Sequence, residues 1–215
     1  MKLLTDIGNS QIKIAQNDNQ KLLKIKSFSI EDIEKFRKYI TKTYAIKGCT
    51  LFYSSVLGDK FNRKIKQTLK GIFISETEFK STKSLMTVRN CYKQPSKLGS
   101  DRWAQIVAAH KIFKKNTMIV SCGSAISIDY VTATGIHKGG LILSGAERYK
   151  NCFLDIHNLK NIKLSNNLKE NSNILQSNTL KQITTGYRVM ISSSIHEIYS
   201  SLCPVSYTHL RAHET

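Results

Sequence analysis

Two acids stand where their neighbours make chemistry easy to build. Asp6 ends an apolar run in LLTDIGNSQIKI, Leu3–Ile14, and a small polar turn of Gly8, Asn9 and Ser10 follows it. Backbone N–H groups in such a turn suit phosphate oxygens, and a carboxylate beside them suits a divalent cation. Asp101 lies in CYKQPSKLGSDRW, Cys91–Trp103, downstream of Pro95 and between Gly99 and Arg102. The chain is amphipathic from Arg102 to Lys115, which predicts a helix with Ser100 or Asp101 at or near its N-cap. A helix N-terminus fixes a carboxylate and lowers its pKa, and a fixed carboxylate can accept a hydroxyl proton. Each motif alone also has a plain structural reading. The first can be an ordinary β-hairpin, and the second acid can be a simple cap.

The first motif has a second copy. Met118–Val131 reads MIVSCGSAISIDYV, again an apolar lead-in, a small-residue turn and an alternating return. Aligned on the glycines, Gly8 matches Gly123, Asn9 matches Ser124, Ser10 matches Ala125, Ile12 matches Ser127 and Ile14 matches Asp129. The position matching Asp6 is Ser121. Two such hairpins imply a duplicated fold with two phosphate-facing turns.

Composition narrows the class. A chain of 215 residues with 40% hydrophobic content can bury one large core or two small ones. No apolar run approaches the roughly 20 residues of a membrane span. The N-terminus enters a strand directly, so no signal peptide and a cytoplasmic location are expected. The five cysteines are scattered without a CxxC pair, and the six histidines form no HExxH, which favours free thiols over a His/Cys metal site. The net charge of +18 is spread along the chain without an aromatic nucleic-acid motif or a dense basic arm. It therefore argues for attraction of small anions rather than for a specific nucleic-acid site.

The elements that must position the acids follow in order. A third strand is expected at Lys21–Phe28 and a helix over Ile30–Thr43, with Ser29 and Asp32 as a weak capping box. Strands are expected at Thr50–Val56 and Gly71–Phe79, with a helix over Asp59–Leu69 between them. Lys80–Asn90 reads as an irregular loop. The helix from Arg102 offers Trp103, Ile106, Val107, Ile112 and Phe113 for packing. After the second hairpin come a strand at Gly139–Ser144, a helix over Ala146–Leu159, a polar loop at Asn161–Asn178 and a helix over Thr179–Tyr199. Val205–Thr215 lacks the Lys/Asn/Ile bias of the rest and reads as a non-native tail on a C-terminally incomplete chain.

Together, DIGNSQIK at Asp6–Lys13, YKQPSKLGSDRW at Tyr92–Trp103, and CGSAISIDYV with GGLILSG within Cys122–Gly145 resemble the type III pantothenate kinases. That family belongs to the acetate kinase/sugar kinase/actin superfamily, and the Bvg accessory factor proteins share its pattern. The resemblance implies an α/β chain with a duplicated actin-like, ribonuclease H-like fold. Its domains would be 1–115 and an incomplete 116–204, each a mixed sheet flanked by helices, with 205–215 outside them. It implies ATP-dependent phosphorylation of pantothenate, the first step towards coenzyme A, by a homodimer with no membrane or specific nucleic-acid partner. Asp6, Ile7, Gly8, Asn9, Ser10, Gln11, Ile12, Lys13 and Ser124 would meet ATP, with Asp6 near Mg²⁺. Tyr92, Gly99, Ser100, Asp101, Arg102 and Thr179 would line the pantothenate site, Thr179 from the partner subunit, and Asp101 would be the proton acceptor. Ser124 stands where the family usually has Thr. Ser121 stands where it has an acid for an activating K⁺ or NH₄⁺, so that cation's role is expected to be weakened or lost. The alternative implied by the same resemblance is a non-catalytic regulator of the Bvg accessory factor type.

Overall fold

The computed structural model describes residues 1–18, 21–44, 48–153 and 173–202. The first hairpin forms as the sequence predicts. Strand β1 (Lys2–Ile7) pairs antiparallel with β2 (Gln11–Asp18), with Asp6 opposite Lys13 and Ile7 opposite Ile12. Strand β3 (Lys21–Ser29) adds to β2, while β4 (Thr50–Ser55) lies parallel to β1 and β5 (Ser75–Phe79) parallel to β4. The result is a mixed five-stranded sheet in the order β3-β2-β1-β4-β5.

Alternation decides which face is which. Leu3, Ile7, Ile12, Ile14, Leu51 and Tyr53 point to one side and meet helices α1 (Ile33–Tyr44) and α2 (Asp59–Leu69) through Ile33, Phe36, Ile40, Tyr44, Ile65 and Leu69. Burial of this apolar surface is the main force holding the layer together. The helix α2 has the expected bounds. The helix α1 starts three residues later than Ile30, because the Asp32 carbonyl accepts from Lys35 and Phe36 N–H and so takes the N-cap role. Ser29 instead accepts from Glu31 N–H in the preceding turn. Strand β5 starts at Ser75 rather than Gly71, whose φ of +79° makes a left-handed turn after α2.

The segment expected to be an irregular loop holds a minimal hairpin, β6 (Ser84–Leu85) with β7 (Val88–Arg89). A 3₁₀ turn at Pro95–Lys97 leads to helix α3 (Ser100–Phe113). Trp103, Ile106 and Val107 are buried with Val88, Leu98 and Val131, as their spacing predicts. Ile112 and Phe113 are exposed instead, and the buried stripe continues through Ala109 and His110.

The second hairpin is β8 (Thr117–Cys122) with β9 (Ala125–Val131), and β10 (His137–Ser144) completes a three-stranded sheet. Its turn is one residue shorter than the first: Cys122 pairs with Ile126, whereas Ile7 pairs with Ile12. Beyond the turn, Ile12 therefore corresponds to Ile126 and Ile14 to Ile128, not to Ser127 and Asp129. Burial agrees, since all four isoleucines are buried while Ser127 is not. Asp6 and Ser121 remain equivalent, opposite Lys13 and Ser127 respectively. These features are those of an α/β protein with a mixed sheet and a repeated strand-turn-strand unit.

The compact units are Met1–Leu143 and Ser144–Thr215. In the second unit, α4 (Ala146–Asn151) is shorter than the expected helix, and residues 154–159 lie outside the described residues. Helix α5 (Thr179–Leu202) is capped by Asn178, whose Oδ1 accepts from Lys181 N–H at 3.2 Å. The Tyr149 and Tyr187 rings lie 4.8 Å apart. The expected loop over 161–172 and the tail at 205–215 also lie outside the described residues. Among the described residues, no helix is long and apolar enough to cross a membrane.

Candidate active site

The site is assembled at the C-terminal ends of β1 and β4, where parallel strands commonly present ligand-binding groups. Alternation turns Asp6 away from the α1/α2 core and leaves it exposed. The facing residue on β4, Ser54, donates from Oγ to Asp6 Oδ1 at 3.0 Å. One residue on, Ser55 offers its carbonyl to Ser100 Oγ at 3.0 Å, which ties the start of α3 to the end of β4. The N-cap of α3 is thus Gly99, with Ser100 and Asp101 in its first turn, and Ser100 holds the sheet rather than the helix end.

Asp101 is partly buried in this corner. Burial pushes its carboxyl above the ordinary aspartate range, and the negative charge of Asp6 adds to the rise; the Arg102 backbone N–H and guanidinium pull the other way without cancelling it. The helix terminus was expected to lower this pKa, and desolvation outweighs that effect. A carboxylate raised in this way is a better proton acceptor than an exposed one. Gly99 makes room for it: a Cβ there would stand 2.6 Å from Asp101 Oδ1.

The two duplicated turns meet. Ser10 Oγ and Ser124 Oγ share a hydrogen bond at 2.7 Å. The Gly8 N–H bonds to Gln11 O at 2.9 Å and the Gly123 N–H to Ala125 O at 3.0 Å, which closes each turn. Ile7 and Ile12 are buried in the α1/α2 core, so only their backbone is offered to a ligand; Gln11, Asn9 and Ser10 are exposed. Ser121 accepts from Gln105 Nε2 at 3.2 Å, and Gln105 lies one helical turn beyond Asp101 on α3.

A second cluster surrounds Arg102. Its Nε donates to Asp129 Oδ2 at 2.8 Å, its Nη2 to Asp129 Oδ1 at 2.7 Å and its Nη1 to the Tyr92 hydroxyl at 3.3 Å. Burial would raise the Asp129 pKa, but hydrogen bonds from His137 and Arg102 outweigh it and hold the carboxyl below its ordinary range. Asn90 positions Tyr92 from behind: its Oδ1 accepts from the Tyr92 N–H at 3.0 Å, while Nδ2 donates to Thr82 and Pro95 carbonyls. Asn90, Gln105, Asp129 and His137 were not singled out as site residues. The usable signal was an acid, Asp129, on a strand of buried residues, which must find a partner.

The sequence-expected residues of the first unit thus gather around α3's first turns. Asp6 and Ser54 lie on one side, the Ser10–Ser124 contact joins the turns, and Tyr92 and Arg102 form the other side. Thr179 belongs to the second unit, exposed at the start of α5. An apolar groove of about 640 Å³, lined by Leu4, Phe52, Phe79 and Leu85 among others, touches this set at Asp6 and Lys13.

The chain is similar to several known proteins. The family model for type III pantothenate kinase matches residues 2–201. A type III pantothenate kinase of Nitrosococcus oceani is 33% identical over 153 residues, covering 67% of this chain and 57% of that protein. One from Acinetobacter baumannii strain AYE is 29% identical over 198 residues, covering 91% and 79%. Across the first four such relatives the matched share of their length is 40% to 57%, so the chain spans about half of each. Among solved structures, a Campylobacter jejuni Baf family protein, described as a transcriptional activator, aligns with a TM-score of 0.58 at 25% identity, covering 91% of this chain and 78% of its own. This chain belongs to the type III pantothenate kinase family.

Proposed function

We propose that the protein phosphorylates pantothenate to 4′-phosphopantothenate at the expense of ATP, with Asp101 as the proton acceptor. The observation that carries this reading is the placement of Asp101. Its carboxyl is raised above the ordinary aspartate range by burial at the head of α3, within the field of Asp6, whose strand runs into the first of two turns joined at Ser10 and Ser124. Phosphoryl transfer needs positioning and charge neutralisation more than covalent help from the protein. Asp6 to Lys13 and Ser124 hold the nucleotide phosphates; a ligand entering there takes over the hydroxyls that Ser10 and Ser124 now spend on each other. Tyr92, Gly99, Ser100 and Arg102 line the pantothenate side, and Asp101 orients the attacking hydroxyl and takes its proton.

Asp6 suits Mg²⁺: it is exposed, one oxygen is steadied by Ser54, and Mg²⁺ asks for only one or two carboxylates beside phosphates and water. The ion supplies charge neutralisation on the phosphates when bound. The Ser121 position does not suit a monovalent cation. Its oxygen is neutral and already faces the N–H donor of Gln105. Replacing K⁺ by Na⁺ in a turnover assay is therefore expected to leave the rate nearly unchanged, and strong activation by K⁺ contradicts this.

The raised Asp101 pKa gives a pH test. The base works only when ionised, so the acid limb of kcat/KM is expected to have its midpoint above the ordinary aspartate value of 3.8. Asp6→Asn removes a like charge and moves that midpoint down. A limb that stays in place in Asp6→Asn separates the two acids.

The reading includes a cytoplasmic homodimer in which Thr179 serves the substrate of the other copy, and a duplication-based division at 1–115 and 116–204. A non-catalytic regulator is the second reading, favoured by the description of the Campylobacter protein. ADP release with and without pantothenate separates them. Pantothenate-dependent release supports the kinase; ATP binding without it supports the regulator.

A further inference from the structure

Arg102 does not meet the site as a free cation. Its Nε and Nη2 both donate to Asp129, in the two-point geometry that best fixes a guanidinium. Asp129 Oδ1 faces a further donor, His137 Nε2, at 3.0 Å. An ionised carboxylate only accepts, so His137 donates to it from Nε2. The other ring nitrogen, Nδ1, lies 3.6 Å from Sγ of Cys91, which is exposed at the edge of the cluster.

The ion pair and its histidine are shut away from water: Asp129 is 2% exposed, His137 0% and Arg102 8%. At such burial an ion pair persists only when its remaining hydrogen-bonding capacity is met. The structure is built around it. A Cβ on Gly140 would collide with the Ile128 carbonyl and stand 2.6 Å from Asp129 Oδ1 and 3.1 Å from Arg102 Nη2. Tyr92 is gripped on two sides, by Arg102 Nη1 at its hydroxyl and by the His137 ring stacked on it at 6.2 Å with an interplanar angle of 16°.

We infer that Asp129 and His137 are positioning residues that act through Arg102 and Tyr92. They take up the Nε edge of the guanidinium and leave Nη1, beside the Tyr92 hydroxyl, as the donor offered to the carboxylate of the substrate. The inference rests on the pantothenate reading for the identity of that carboxylate, while the tether itself stands on the geometry. Its consequence is selective. Loosening the tether weakens the hold on the acid substrate and leaves the nucleotide turns untouched, because neither Asp129 nor His137 lies in them.

His137→Leu and His137→Gln test this. The leucine removes the N–H that steadies Asp129, while the glutamine amide restores a donor there. His137→Leu is expected to raise KM for pantothenate about tenfold, the scale of one hydrogen bond to a charged group, with KM for ATP unchanged. His137→Gln is expected to recover most of that loss in KM. The Arg102 Nε–H resonance in ¹⁵N NMR, sharp in the unsubstituted protein and in His137→Gln, is expected to broaden in His137→Leu. Equal KM values for both variants and the unsubstituted protein overturn the inference. So does a parallel rise in KM for ATP and pantothenate. If the unsubstituted protein shows no pantothenate-dependent turnover, the functional reading fails, and the Arg102 resonance decides on the tether alone: unchanged in His137→Leu, it overturns that as well. Should His137→Leu not fold, Asp129→Asn is compared by the same resonance and by KM, with the same outcomes supporting or overturning.

Discussion

Asp101→Asn is expected to cut turnover by on the order of 10³-fold while ATP still binds, because the amide keeps the shape of the carboxylate and loses its basicity. Asp101 lies at the head of α3 and takes no part in the Ser10–Ser124 contact, so the phosphate turns have no reason to change. Stability moves the other way. The native carboxyl has a raised pKa, so the folded state holds its proton more tightly than the unfolded chain. Ionising it therefore costs stability as pH rises through the interval above 3.8. At neutral pH the uncharged asparagine avoids that cost, and the thermal midpoint of Asp101→Asn is expected to rise. Near-normal turnover in this variant removes Asp101 from the base role, and a fall in the midpoint contradicts the desolvation account.

Gly99→Ala is expected to lower kcat by roughly 10–100-fold without unfolding the protein. The backbone at Gly99 has φ −54° and ψ 134°, which alanine adopts freely. The difficulty is the side chain: its Cβ would stand 2.6 Å from Asp101 Oδ1. The short aspartate side chain yields before the backbone does, so the carboxylate is displaced from the hydroxyl it must meet. Gly58→Ala is the matched control. Gly58 caps α2 as Gly99 caps α3, in similar extended backbone, and a Cβ there meets nothing within 4 Å. Both variants share the loss of a favourable capping glycine, at most about 1 kcal/mol. Only Gly99→Ala should lose activity, as kinetics and thermal melts on both variants would show. Equal activity in the two variants means that Asp101 tolerates displacement and does not act as a positioned base.

These two predictions concern residues that were legible in the sequence, and the reasons are local. Gly8 with alternating flanks marks the first hairpin, its repeat at Gly123 marks the second, and the amphipathic run after Asp101 marks α3. Where reading failed, the deciding contact was remote. Ser29 looks like a cap, but Asp32 takes the role because the turn at Ser29 is already closed by Glu31 N–H. Asp129 was aligned with Ile14 because the second turn is one residue shorter, which only strand pairing reveals. Its partners Arg102 and His137 lie 27 and 8 residues away, and no periodicity connects them. Gln105 is one turn from Asp101, yet its meaning depends on Ser121 across the packing of α3 on β8. Short-range spacing thus identifies the groups that touch ligands, and the groups that hold them in place emerge from tertiary packing.

The central claim is that this site transfers the γ-phosphoryl group of ATP to pantothenate. Mass spectrometry of reaction mixtures containing the protein, ATP, Mg²⁺ and pantothenate tests it most directly. The expected result is 4′-phosphopantothenate in amounts matching the ADP formed, with both lost in Asp101→Asn. ADP formed equally without pantothenate, or bound ATP with no phosphopantothenate at all, contradicts the account.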